Sequence, residues 1–251
     1  MNAMIFAAGL GTRLAPLTDD CPKALLPVGG VTMLERAMTL LRDTVGVDRV
    51  VVNIHSHADM MRRWVADNAG RLDVEILISD ESDCLLDTGG GLLKAAPLLD
   101  DGSGEPIMLY NADIVTDINP AAMLDAYMRS DADVTLLTAD RHTSRKLLFD
   151  ADDHMCGWVN TSTGEIKPQE IAGNTDGLTP LAFGGIHVVN PRIFTSLNEY
   201  AAQVGEVFSI TPFYIARCAS HRIMAWRQPD GTRWIDAGKP ATYAEANRLW
   251  C

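Results

Sequence analysis

Cysteine is scarce and unpatterned. The five residues, Cys21, Cys84, Cys156, Cys218 and Cys251, are odd in number, far apart and never spaced as Cys-x-x-Cys. That excludes a disulfide framework and a zinc ribbon, and it is the usage expected of a cytoplasmic, reducing environment. Positive charge is in deficit: 21 Lys and Arg face 33 Asp and Glu, for a formal charge of -12. Such a chain has no general attraction for nucleic acid or an anionic membrane surface, so neither is an expected partner. Any phosphate it binds must be met by a few placed cations, backbone N–H groups or a metal ion. No apolar run reaches the length of a membrane span. The apolar start, Ala3 to Leu10, has no basic segment before it and is followed at once by Gly11-Thr12-Arg13, which predicts a buried first strand and not a signal peptide.

Several familiar site motifs are also missing. A dinucleotide fingerprint wants a third glycine where Leu14 stands, and an acid at the end of the second strand, where Asn53 stands. The only Gly-Lys pair, Gly238-Lys239, is followed by Pro240, which excludes a P-loop. There is no G-x-S-x-G elbow and no H-E-x-x-H helix. His55-Ser56-His57 has no third ligand nearby and reads as a strand-to-helix turn.

What is present is a regular alternation of strand-like and helix-like segments over the first half, the pattern of a mostly parallel sheet covered on both faces. Strands are expected at Ala3–Ala7, Asp48–Ile54, Val74–Ile78 and Ile107–Tyr110. Helices are expected from Leu34 to Val45, from His57 to Asn68 with Gly70 as the stop, and from Gly91 to Leu99. Residues 141–180 carry short strand candidates among turn residues and read as an inserted hairpin region. Ala182–Val189 returns as a buried strand, and a last helix starts at Pro240. The whole is expected to be one α/β domain of 251 residues. Loops at the carboxyl ends of the strands form the expected active edge.

The most informative stretch is Gly9-Leu10-Gly11-Thr12-Arg13-Leu14, continuing through Pro22-Lys23 to Leu26-Pro27-Val28. Glycines just past a first strand let backbone N–H groups approach phosphate oxygens, and Arg13 and Lys23 add two cations on the same loop. That is the equipment a triphosphate needs in a protein whose overall charge repels it. Together these residues resemble the G-x-G-T-R-L…P-K…L-P-V signature of the sugar-1-phosphate nucleotidylyltransferases (NDP-sugar pyrophosphorylases), and the likeness spans nearly the whole chain. It implies a Rossmann-like, mixed and mainly parallel sheet sandwiched by helices, the glycosyltransferase-A-like fold of nucleotide-diphospho-sugar transferases. It also implies a Mg-dependent reaction that joins a nucleoside triphosphate to a sugar 1-phosphate and releases pyrophosphate. On the same resemblance, Arg13 and Lys23 would be catalytic, and Ala8, Gly9, Gly11 and Thr12 would contact the nucleotide. Residues 1–140 would form the nucleotide-binding half and residues 141–251 the sugar-phosphate-binding half, in a monomer or small homo-oligomer.

Leu86-Asp87-Thr88-Gly89-Gly90-Gly91 is the second informative stretch. Three glycines at a helix start are entropically costly, and a nucleobase edge read by the backbone would account for them; a flexible loop with Thr88 as a helix cap is the plainer alternative. The run resembles the L-E-T-G-G-G of bacterial N-acetylmuramate-1-phosphate uridylyltransferases, with Asp87 in place of glutamate, and by that likeness Thr88, Gly89 and Gly90 would bind nucleotide. Asp113 and Asp236 each stand at the end of a strand candidate. The family places metal-binding aspartates in both contexts, so the resemblance assigns Mg to this pair, and Asn111 and Gly185 to the sugar phosphate. The family's sugar-phosphate lysine has no clear counterpart; Lys146, Lys167 and Lys239 all remain open. UTP with an amino-sugar 1-phosphate such as N-acetylmuramate 1-phosphate is the expected substrate pair. The alternatives are a guanylyltransferase for a mannose- or heptose-type 1-phosphate, or a glycosyltransferase of similar fold, which would have no use for the Gly9–Lys23 loop.

Overall fold

The computed structural model describes residues 1–250. In chain order its strands and helices are β1 (Asn2–Phe6), β2 (Pro27–Val28), β3 (Val31–Thr32), α1 (Met33–Val45), β4 (Arg49–Ile54), α2 (Ala58–Leu72), β5 (Glu75–Asp80), α3 (Asp87–Leu99), β6 (Ile107–Asn111), β7 (Ile114–Thr116) and α4 (Pro120–Met128). They continue as β8 (Val134–Ala139), β9 (Arg145–Phe149), β10 (Met155–Asn160), β11 (Glu165–Lys167), β12 (Thr179–Val189), α5 (Ile193–Val204), α6 (Ile210–Arg217), β13 (Ile223–Arg227), β14 (Trp234–Asp236) and α7 (Pro240–Leu249).

β1 lies between β4 and β6 in parallel register, and β4 pairs in parallel with β5. Its side chains alternate between two cores. Ala3 and Ile5 join the cluster beneath α1, while Met4 and Phe6 join the one that includes Leu92, Ala95 and Leu99 of α3. A strand buried on both faces needs an unbroken apolar sequence, which Ala3–Ala8 supplies. β12 is antiparallel to β6 and β8, and β13 pairs in parallel with β8, so the central sheet formed by β1, β4, β5, β6, β8, β12 and β13 is mixed but mainly parallel, as expected. The hairpin region belongs to the same sheet: β9 pairs with the first residues of β12, and β10 and β11 extend from it.

Two helix boundaries depart from expectation. Gly70 does not stop α2, which runs on to Leu72 and ends where Asp73 turns left-handed at φ 53. Gly70 is exposed and costs about 1 kcal/mol within a helix. Burying Leu72, 2% exposed, returns about 1.5–3 kcal/mol, so the extra turn is favourable. α3 begins at Asp87 and not at Gly91, which places all three glycines inside the helix.

One small feature positions the site. β7 and β14 form a separate antiparallel pair in which Asp236 stands opposite Ile114, and the Ala237 N–H donates to the Asp113 carbonyl at 2.9 Å. Two acids 123 positions apart in sequence are thereby brought to one edge of the sheet.

Candidate active site

A cleft of about 510 Å³ opens at the carboxyl ends of β1 and β6. Its floor and walls come from Ala8 to Arg13, Lys23, Asn53, Asp87, Thr88, Asn111, Asp113, Val207 and Gly238. The glycine loop is shaped by Gly11, whose φ of +68 is left-handed and whose Cβ, if present, would stand 2.9 Å from Thr18 Cγ2. The Thr18 hydroxyl donates to the Gly11 carbonyl at 2.9 Å and holds the loop from behind. Gly9 has open space where a Cβ would be, so the backbone there faces the cleft unobstructed.

Asn53 and Glu81, neither of them singled out by sequence for binding, fix the entrance of this loop. The Ala7 N–H donates to Asn53 Oδ1 at 2.7 Å, and Asn53 Nδ2 donates to Glu81 Oε1 at 2.7 Å. Glu81 is fully buried, and its other carboxylate oxygen accepts from the Leu86 N–H at 3.0 Å. One buried network therefore ties the end of β1 to the turn that starts α3. The signal was a lone polar residue in the otherwise apolar run Val50-Val51-Val52-Asn53-Ile54.

At the other end of the cleft three side chains converge on Gly238, and a fourth, Asp113, joins them through Lys23. A Cβ on that glycine would stand 2.6 Å from Asp236 Oδ1, 2.9 Å from Arg13 Nη2 and 2.9 Å from Lys23 Nζ. Lys23 is ion-paired with Asp113, and the Gly238 N–H donates to Asp236 Oδ1 at 2.8 Å. Burial, and then the nearby charge of Asp113, hold the Asp236 carboxyl above the usual carboxylate range, with Lys23 and Arg13 opposing. Two repelling carboxylates with only oxygen donors suit a hard dication that completes its shell with phosphate oxygens, so these residues fit Mg.

The remaining sequence-assigned residues fall differently. Gly89 and Gly90 stand behind the cleft wall, where both N–H groups donate to the Phe208 carbonyl, at 2.9 and 3.1 Å. Side chains there would strike the Phe208 ring and the Glu206 carbonyl. The close approach that demands these glycines is thus made by the chain's own 206–208 segment, and no nucleobase is needed to account for them. Thr88 lines the cleft, but its hydroxyl accepts from the Ile210 N–H at 2.9 Å and so caps α6. Gly185, at φ +73, packs behind Asn111, whose Nδ2 would lie 2.8 Å from a Cβ there. Among the three lysines left open, Lys146 pairs with Asp140 at 2.8 Å and Lys167 with Glu165 at 3.0 Å, while Lys239 is exposed at the start of α7.

A glycine loop, two cations and two neighbouring carboxylates at this edge of the sheet could hold phosphate groups and a dication. Residues 2–250 match the family model described as nucleotidyl transferase. The chain is 33% identical over 243 residues to the N-acetylmuramate alpha-1-phosphate uridylyltransferase of Caulobacter vibrioides, covering 95% of this chain and 92% of that one. It is 27% identical, over its full length and 64% of the relative's, to a probable mannose-1-phosphate guanylyltransferase of Oryza sativa. A putative glucose-1-phosphate thymidylyltransferase from Bacillus anthracis shares the fold, with a TM-score of 0.82 at 16% identity over 100% of this chain and 95% of that one. No helix among the described residues is long and apolar enough to cross a membrane. With its signature loop in place and the match running nearly from end to end, the chain belongs to the nucleotidyl transferase family and is an enzyme of the sugar-1-phosphate nucleotidyltransferase class.

Proposed function

We propose that the protein transfers a uridylyl group from UTP to an amino-sugar 1-phosphate, with N-acetylmuramate 1-phosphate as the first candidate, to supply an NDP-sugar for cell-wall or surface-glycan synthesis. The observation that carries the reaction type is the meeting of Arg13, Lys23, Asp113 and Asp236 around Gly238. The choice of base and sugar rests on similarity to the Caulobacter relative and on the run Asp87-Thr88-Gly89-Gly90-Gly91.

In this reaction a sugar-1-phosphate oxygen attacks the α-phosphorus of the nucleotide. A new P–O bond forms, the α–β bridging P–O bond breaks, and pyrophosphate departs with the electron pair. No covalent enzyme intermediate is required, so the work of the protein is positioning and charge stabilisation. Gly9 and Gly11 let the backbone approach the phosphates, while Arg13 and Lys23 offset charge that develops on their oxygens. Asp113 and Asp236 would hold Mg, which when bound draws phosphate oxygens together and neutralises their charge. Lys23, paired with Asp113, holds its ammonium beside the place where the phosphates would lie. Asn111, supported by Gly185, faces the cleft where the sugar phosphate would lie.

A guanylyltransferase acting on a mannose-type 1-phosphate is the second reading, favoured by the likeness of the whole chain to 64% of the plant relative. Incubating the protein with each NTP and a panel of sugar 1-phosphates, and measuring pyrophosphate release, decides between them. Release with GTP and mannose 1-phosphate alone would overturn the uridylyl reading.

A further inference from the structure

A guanidinium keeps its charge at neutral pH, and burying it without a partner is costly, so a buried arginine normally meets a carboxylate or several carbonyls. Arg141 meets none. Its Nε, Nη1 and Nη2 are all buried and all lack a hydrogen-bond partner. Burial alone pulls its pKa down to about 10, with no acid nearby to oppose the shift. The adjacent Asp140 is engaged by Lys146 at 2.8 Å.

The group is nevertheless held firmly. Its Cζ lies 3.6 Å from the centroid of the Trp234 ring, a close cation–π stack. Trp234 is itself fixed, because its indole N–H donates to the Gly184 carbonyl at 2.9 Å. Gly184 completes the cradle: a Cβ there would stand 3.0 Å from Arg141 Nη2. The ladder between β12 and β8 shifts register between Phe183 and His187, and this irregularity brings Gly184 beside Arg141 and Gly185 beside Asn111 of the cleft. Arg141 lies in the connection from β8 to β9, between the exposed residues Asp140 and His142.

The stack lies close to the reacting groups. Trp234 and Asp236 are two residues apart on β14 and so share one face, roughly 7 Å apart along the strand. Asp236 belongs to the cluster with Arg13 and Lys23, where the phosphates must lie for attack. The cation stacked on Trp234 therefore stands on the same strand as Asp236, one pleat repeat from the reacting cluster. We propose that Arg141, held flat against Trp234, is a specificity-determining residue that receives a carboxylate carried by the sugar ring of the sugar 1-phosphate. The proposal rests on the nucleotidyl-transfer reading and narrows its substrate class to acidic sugar 1-phosphates.

The test compares wild type, Arg141→Met and Arg141→Lys on N-acetylmuramate 1-phosphate and on N-acetylglucosamine 1-phosphate, which lacks the lactyl carboxylate. Removing one partner of a buried, hydrogen-bonded charge pair is expected to lower kcat/KM for the carboxylated sugar at least about thirtyfold in Arg141→Met, mainly through KM. The plain sugar should change less than about threefold, and Arg141→Lys should recover part of the loss. Thermal melts supply a readout that needs no turnover. Without ligand, Arg141→Met should melt no lower than wild type, because it removes an unpaired buried charge. The upward shift that wild type shows with N-acetylmuramate 1-phosphate should vanish in the variant. Equal losses on both sugars would mean that the anion is the common 1-phosphate, and unchanged kinetics with a lowered melting temperature would mean a purely structural stack; either overturns the proposal. Failure of wild type to release pyrophosphate with any pair would sink the nucleotidyl-transfer reading, while an Arg141-dependent melting shift would still be seen or not seen on its own.

Discussion

Asp236 serves two demands that oppose each other. The fold disfavours its charge, through burial and the neighbouring Asp113, yet the proposed metal binding would require that charge. A carboxyl whose pKa is raised above the ordinary 3.8 contributes stability below that value, and the contribution is lost as pH rises through the higher folded pKa. Asp236→Asn should therefore be at least as stable as wild type at neutral pH without ligand, with the difference closing as pH falls toward 3.8. The same variant, like Asp113→Asn, should lose nearly all metal-dependent turnover. Melting curves and pyrophosphate assays on one preparation check both halves. In the proposed reaction Arg13 and Lys23 would offset developing phosphate charge, where loss of one preorganised donor typically costs about 10²–10³ in rate. Arg13→Ala and Lys23→Ala should lower kcat by about that factor, with smaller changes in nucleotide affinity. Normal turnover in Lys23→Ala would remove that residue from the chemistry.

Elements meet at this site through buried polar joints that no periodicity announces. Glu81 links the end of β4 to the start of α3, by way of Asn53 and the Leu86 N–H. Glu81→Ala would leave both donors buried and unpaired, at about 1–3 kcal/mol each. Chemical denaturation should show a loss of about that size, and the disturbed Ala7–Asn53 contact should also weaken nucleotide binding. The glycine run of α3 yields the opposite lesson. Its sequence invites a base-binding role, but packing against residues 206–208 already accounts for Gly89 and Gly90. Gly89→Val should thus destabilise the fold through overpacking, by about 1–3 kcal/mol or more, instead of merely blocking nucleotide in an intact protein. A well-folded variant with selective loss of nucleotide affinity would restore the base-reading assignment. Sequence showed that something must come close to these glycines. It could not show what, because Phe208 arrives from more than a hundred positions away.

Across the whole molecule, the site joins the first strand's loop to the last strand, β14, so occupancy should be felt by the entire fold. A ligand that binds only the folded state adds about 2.7 kcal/mol at a hundred times its Kd. Mg together with a nonhydrolysable UTP analogue should raise the melting temperature clearly. Either component alone should do so much less, because the nucleotide brings phosphate charge to the paired acids and Mg lacks the phosphate oxygens it would share. An equal rise with the analogue in EDTA would contradict the metal assignment to Asp113 and Asp236.

What the sequence determined by itself was local. The apolar runs specify doubly buried parallel strands, the Gly9–Lys23 stretch specifies a glycine-turned loop after β1, and both are found in the structure because each is written within a few neighbouring residues. Asp113 and Asp236 could be named only through family likeness, since nothing in either segment says that they face each other. Their meeting depends on the β7–β14 pairing, a long-range contact with no periodic signature. The same holds for Arg141. As a residue it is one arginine in a polar connection; its stack on Trp234, its lack of a partner and its cradle at Gly184 exist only once β8, β12 and β14 have come together. Hydrophobic period and turn chemistry fix the elements, but packing alone decides which buried polar groups, Arg141 among them, are left without a partner.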